Sequence, residues 1–141
     1  MKQQLTCVYA DDMDAQYSKI MQDGLDELAK NKKGLDAVQS FSFSCFDKDK
    51  NFVAGVKGVL MYGCLYVGTL WVSEDFRGQN YGTLLMSKAE NLARERNCKF
   101  MTLNTTDWQA RPFYEKLGFK LEFVRSGHDK DSEAYYLRKD L

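Results

Sequence analysis

The chain has 141 residues, 44% of them hydrophobic and 28% charged, with 20 Lys and Arg set against 20 Asp and Glu for a net charge of zero. That is the make-up of an ordinary globular protein, long enough to bury a core without disulfide or metal staples, and a single domain over 1–141 is expected. The two signs balance in each half, so no basic stripe points to nucleic acid or to a membrane surface.

No apolar run approaches the roughly 20 residues of a membrane span. The start Met-Lys-Gln-Gln-Leu-Thr lacks the apolar stretch of a signal peptide. Cys7, Cys45, Cys64 and Cys98 are scattered, form no Cys-x-x-Cys pair, and are joined by a single histidine, His128. The expectation is a cytoplasmic protein with four reduced thiols and no metal site.

Gln4–Tyr9 reads as a first strand. Asp11 or Asp12 then caps a helix whose apolar residues Tyr17, Ile20, Met21, Leu25 and Leu28 recur at helical spacing, and Gly34 stops it. Ser40–Asp47 and Phe52–Tyr62 flank the turn Lys48-Asp49-Lys50-Asn51, and Gly63 separates the second arm from a further strand, Cys64–Val72. A helix with the stripe Leu84, Leu85, Ala89, Leu92 and Ala93 follows, and Asn97 is its left-handed stop. Phe100–Thr105 reads as a buried strand and Trp108–Leu117 as a short helix ended by Gly118. Phe119–Arg125 and Glu133–Lys139 form a last strand pair. Trp71 and Trp108 are assigned to core packing, with the wall of a binding pocket as the alternative, and His128 to a surface turn.

The segment Glu74–Thr83 lies between a strand and a helix and carries Arg77, Gly78 and Gly82. The first N–H groups of a helix lack intrahelical partners and sit at the positive end of its dipole, so this layout suits a phosphate. Neither common phosphate loop fits. Only three residues separate Gly78 from Gly82 and no lysine follows, against the Walker pattern; Gly-x-Gly-x-x-Gly is absent too.

The spacing Arg77, two residues, Asn80, one residue, Gly82 instead resembles the pyrophosphate loop of the GNAT superfamily of N-acetyltransferases. A second block, Ala110 followed by Phe113-Tyr114-Glu115-Lys116-Leu117-Gly118-Phe119, is similar to the other GNAT signature. The ending His128 to Lys139 also resembles a branch of small bacterial members. The order of elements matches over the whole chain and implies an α/β layered fold: a mixed, mostly antiparallel sheet of about seven strands flanked by helices.

The resemblance implies transfer of an acetyl group from acetyl-CoA to a primary amine, on a small molecule or a protein, by direct attack. Leu70 and Val72 would lend backbone groups to the pantetheine arm. Arg77, Gly78, Gln79, Asn80, Tyr81, Gly82 and Thr83 would hold the pyrophosphate, with Arg77 orienting the loop. Tyr114 would protonate the departing thiolate, or else only pack. Asn104 is a substitute CoA contact, since Asp107 occupies a slot where relatives often have asparagine.

Two departures stand out. Asn80 replaces the usual glycine; it either adopts the left-handed backbone that glycine would, or caps the helix with its side chain and takes up an N–H. Gly68 stands where the similar branch often has an acid, which leaves Glu74, Asp75 and Asp107 as weak candidates for a base. The competing reading is a non-catalytic acyl-CoA-binding sensor with the same fold; a toxin-type acetylation of aminoacyl-tRNA lacks the basic surface it would need. The resemblance leaves homodimerisation open.

Overall fold

The computed structural model describes residues 3–141. The chain divides into two compact units, residues 1–37 and 38–141.

The first unit is built on helix α1, Ala15–Lys33. Asp14, not Asp11 or Asp12, caps it: the Asp14 carboxylate accepts the Gln16 N–H at 2.8 Å. At the other end Gly34 turns left-handed (φ 67°) and its N–H reaches back to Lys30 O at 2.9 Å, the stop that its lack of a Cβ allows. The expected strand over Gln4–Tyr9 is not formed; residues 3–10 have no regular structure. A strand exists only through its partner, and sequence pattern alone does not supply one.

The second unit is a six-stranded sheet in the order β1-β2-β3-β4-β6-β5, one strand fewer than the sequence suggests because Gln4–Tyr9 is absent from it. Its strands are β1 (Gln39–Phe46), β2 (Phe52–Met61), β3 (Cys64–Val72), β4 (Phe100–Thr106), β5 (Lys120–Arg125) and β6 (Ala134–Asp140). All neighbours are antiparallel except β3 and β4. Helix α2 (Tyr81–Glu95) makes the crossover that a parallel pair requires, and α3 (Arg111–Lys116) follows β4. The short helix therefore begins at Arg111, with Pro112 in its first turn, rather than at Trp108; proline suits that place, where no N–H is needed.

The core lies where α2 meets the sheet. Leu85, Met86, Ala89 and Ala93 of α2 are buried with Val56, Leu65, Val67, Met101, Leu103 and Leu137. Glu90 pins the same helix to β6 through Lys139 at 2.6 Å and also holds Arg94. Burial pushes the Glu90 carboxyl up, but these cationic partners outweigh it and leave it below the ordinary value. Leu137 is fully buried and lies opposite Leu103. Leu137→Ala is expected to cost roughly 2–5 kcal/mol, from lost burial plus the cavity left behind, read as a lower urea midpoint with an unchanged slope.

Neither tryptophan takes the core role, the first of the two readings open to them. Trp71 is 47% and Trp108 68% exposed. Trp71 lies on the open face of β3 and stacks on Phe52, ring centroids 6.2 Å apart.

Candidate functional site

The site begins where two parallel strands part. β3 and β4 pair from Cys64 opposite Phe100 to Val67 opposite Leu103, and both then run on, to Val72 and Thr106, without pairing to each other. The parting coincides with a β-bulge. Lys57 faces Thr69 and Gly58 faces Val67, which leaves Gly68 as the extra residue. The bulge also reverses which residues face the core: Leu65 and Val67 before it, Leu70 and Val72 after it. Gly58 makes this approach feasible, since a Cβ there would lie 1.9 Å from the Tyr66 carbonyl oxygen.

Past the bulge, backbone groups of β3 turn toward the gap. Ser73 N–H donates to Val53 O at 2.8 Å. In the antiparallel alternation this puts Leu70 and Val72, opposite Val56 and Ala54, in the pairs that do not bond across to β2. Their N–H and C=O groups therefore point to the β4 side. Between the strands is a cavity of about 320 Å³, lined by Gly68, Leu70, Asn104, Ala110 and Tyr114 among others. Asn104 accepts a hydrogen bond from the Tyr66 hydroxyl at 3.2 Å.

At the end of β3 the chain makes a short 3-10 turn, Glu74–Phe76, and enters the loop to α2. Arg77 donates from Nε to the Val72 carbonyl at 2.9 Å, tying the loop to the strand end. Gly78 (φ 74°) and Asn80 (φ 66°) are both left-handed. Asn80 is the cap residue of α2, and its side chain makes no capping bond; of the two behaviours open to it, it takes the glycine-like one. The first intrahelical bond is Leu84 N–H to Asn80 O at 3.0 Å, so the N–H groups of Tyr81, Gly82 and Thr83 remain open for an anion. Gly82 itself is helical, and its need is space: a Cβ there would lie 3.2 Å from Phe113 Cζ.

Tyr114 reaches the cavity from α3. Its ring is wedged edge-on between Phe113 and Phe119, at 5.1 and 6.0 Å between centroids, and only 9% of the residue is exposed. Burial pushes its phenol up, so it keeps its proton through neutral pH. The turn that aims it is fastened by Gln109, whose side-chain oxygen accepts from Thr106 N at 3.0 Å and Thr106 Oγ1 at 2.7 Å.

Residues 6–119 match the model of the family described as acetyltransferase (GNAT). The chain belongs to the GNAT family. It is 32% identical over 101 residues to a blasticidin-S acetyltransferase of Streptomyces morookaense, which covers 71% of this chain and 74% of the relative. A crystal structure from Agrobacterium tumefaciens, described as an acetyltransferase, superposes with a TM-score of 0.82 at 26% identity, over 97% of this chain and all of the other. A Bacillus anthracis structure described as a streptothricin acetyltransferase in complex with acetyl coenzyme A shares the fold, with a TM-score of 0.63 at 22% identity over 72% of this chain and 62% of that one.

In this GNAT chain Leu70, Asn104 and Tyr114 line one cavity; Val72 and the residues from Arg77 to Thr83 sit at or beyond the end of the strand that walls it. Glu74 and Asp75 lie in the 3-10 turn, and Asp107 in the turn after β4, with its N–H on Glu133 O; none of the three lines the cavity. His128 is exposed in a loop. Sequence reasoning missed Gln109 and the Tyr66–Asn104 pair, because nothing in a linear pattern says which hydroxyl meets which amide across two strands.

Proposed function

We propose that the chain transfers the acetyl group of acetyl-CoA to a primary amine by direct attack. The observation that carries this reading is continuity. Left-handed Gly78 and Asn80 and the open N–H groups of α2 follow directly on the end of β3, where Leu70 and Val72 turn their backbone groups away from β2, and Leu70 shares its cavity with Tyr114. A CoA thioester has the same sequence of needs: an anion site, an extended amide arm and a sulfur that leaves with negative charge.

The α2 N-terminus would take the pyrophosphate, with Arg77 bracing the loop through its Nε bond to the Val72 carbonyl. Leu70 and Val72 would bond the pantetheine amides as an added strand. Acetyl-CoA supplies an acetyl group activated as its thioester. The neutral amine would attack the thioester carbon, making the C–N bond, and the C–S bond would then break; Tyr114 would give its proton to the departing sulfur and regain one, through solvent, from the amine's surplus proton. A backbone N–H aligned with the developing oxyanion is worth ~3 kcal/mol, and the Leu70–Val72 stretch, whose Leu70 and Val72 N–H groups turn away from β2, would supply it.

Acetyl-CoA is expected to raise the melting temperature. A ligand that binds only the folded state stabilises it by ~2.7 kcal/mol at a hundredfold excess over its dissociation constant, several degrees for a chain of this size. No shift at millimolar acetyl-CoA would remove the cofactor assignment. Binding without acetylation of any amine would favour a sensor instead.

A further inference from the structure

We propose that the acceptor is a small, weakly basic amine that carries a carboxylate, which Lys57 receives, and a planar group that lies against Trp71. The inference rests on the acetyltransferase reading and adds the chemical class of the second substrate.

The cavity between β3 and β4 does not end at the strands. It shares Gly68 and Thr69 with a groove of about 580 Å³ over β1–β3, which shares Ser42, Lys57 and Thr69 with a further cavity of about 280 Å³ at Phe52 and Trp71. Thr69 lines all three, so an acceptor whose amine enters beside Gly68 lays the rest of itself along the open face of β2 and β3.

The charges on this path are one-sided. Among the described residues that line the three cavities there is no Asp, Glu or His; the ionisable side chains are Lys57, Tyr66 and Tyr114. Tyr114 holds its proton as the donor to sulfur, and Tyr66 donates its own to Asn104. None of the groups lining these cavities is placed to take a proton from an ammonium ion, and Lys57 repels one. The amine must therefore arrive neutral. At about pH 7.5 an amine of pKa ~10.4 is neutral in roughly one molecule in a thousand, and an α-amine of pKa ~7.8 in roughly one in three. This handicap of a few hundred-fold selects weak bases, less whatever reactivity they lose through lower basicity.

Lys57 supplies the second criterion. It lies on the open face opposite Ser42 and Thr69 and has no carboxylate partner among the described residues. An anion on the acceptor pairs with it and orients the amine toward Gly68. The third criterion is the Trp71–Phe52 stack, tilted by only 6° and roughly half exposed on both rings, a flat apolar surface at the far end of the path.

The test uses three acceptors with the wild-type protein and acetyl-CoA: glycyl-phenylalanine, glycyl-phenylalaninamide and Nα-acetyl-lysine. At about pH 7.5 the dipeptide acid is expected to be acetylated at least ~10-fold faster than either of the others, by kcat/KM. Lys57→Gln brings the acid-to-amide ratio toward one, and Lys57→Glu inverts it. The rate on the dipeptide rises tenfold per pH unit and levels at that amine's own pKa, while the rate on Nα-acetyl-lysine keeps rising to about pH 10. A plateau at the same pH for both acceptors would reveal a base in the protein and overturn the inference, as would preference for the amide or for Nα-acetyl-lysine. A protein that binds acetyl-CoA yet acetylates none of the three overturns it and leaves the cofactor reading in place; loss of the acetyl-CoA melting shift would bring down both.

Discussion

Tyr114→Phe is expected to lower turnover ~10²-fold or more while leaving acetyl-CoA affinity nearly unchanged. The substitution removes one hydroxyl and keeps the ring wedged between Phe113 and Phe119, where it is buried. The hydroxyl bonds to no other described residue, so its loss orphans no partner and the fold should be unaffected. What disappears is a proton delivered as the thiolate forms, an interaction made only in the transition state, and such a loss falls on kcat rather than on binding. Burial raises the phenol, which keeps the donor protonated and predicts that the Tyr114-dependent part of the rate persists through neutral pH and declines only as the phenol ionises in strong alkali. Weakened acetyl-CoA binding with unchanged turnover would make Tyr114 a ground-state contact and end its role as acid.

Gly82→Val is expected to abolish the melting shift caused by acetyl-CoA. A Cβ at Gly82 would lie 3.2 Å from Phe113 Cζ, and a branched side chain there also stands in the first turn of α2, over the N–H groups that would meet phosphate. The same contact means that the added side chain displaces Phe113, so the unliganded protein should also melt lower. Gly78→Val separates the two effects. Nothing lies within 4 Å of a Cβ at Gly78, but its φ of 74° is strained for a branched residue, by ~1–3 kcal/mol. That variant should keep its core and lose cofactor affinity through the loop. Normal acetyl-CoA binding by both folded variants would place the pyrophosphate elsewhere.

The elements most readable in the sequence were those whose cause is local. Asn97 and Gly34 turn left-handed where a helix must stop, and Cys64–Val72 is a strand to the residue, because glycine, turn residues and apolar periodicity act over a few neighbours. The loop was legible for the same reason: Gly78 and Asn80 are among the residue types that accept positive φ cheaply, and both do. Spacing also set Tyr114 inside a short helix, although the start of that helix moved to Arg111.

Tertiary structure decided what depends on a partner. Gln4–Tyr9 has a strand's pattern and finds no ladder, while Trp71 and Trp108 have a core's composition and lie at the surface. The bulge at Gly68 is the decisive case. It exists because β2 and β3 fall one residue out of step, a relation between two strands that neither sequence contains alone. From it follow the reversed faces of β3 and the outward backbone of Leu70 and Val72. The same register brings Lys57 beside Thr69, and the parting of β3 from β4 opens the gap that Tyr114 faces. Local chemistry named the candidate residues; the parting and register of the strands brought three of them, Leu70, Asn104 and Tyr114, to one cavity.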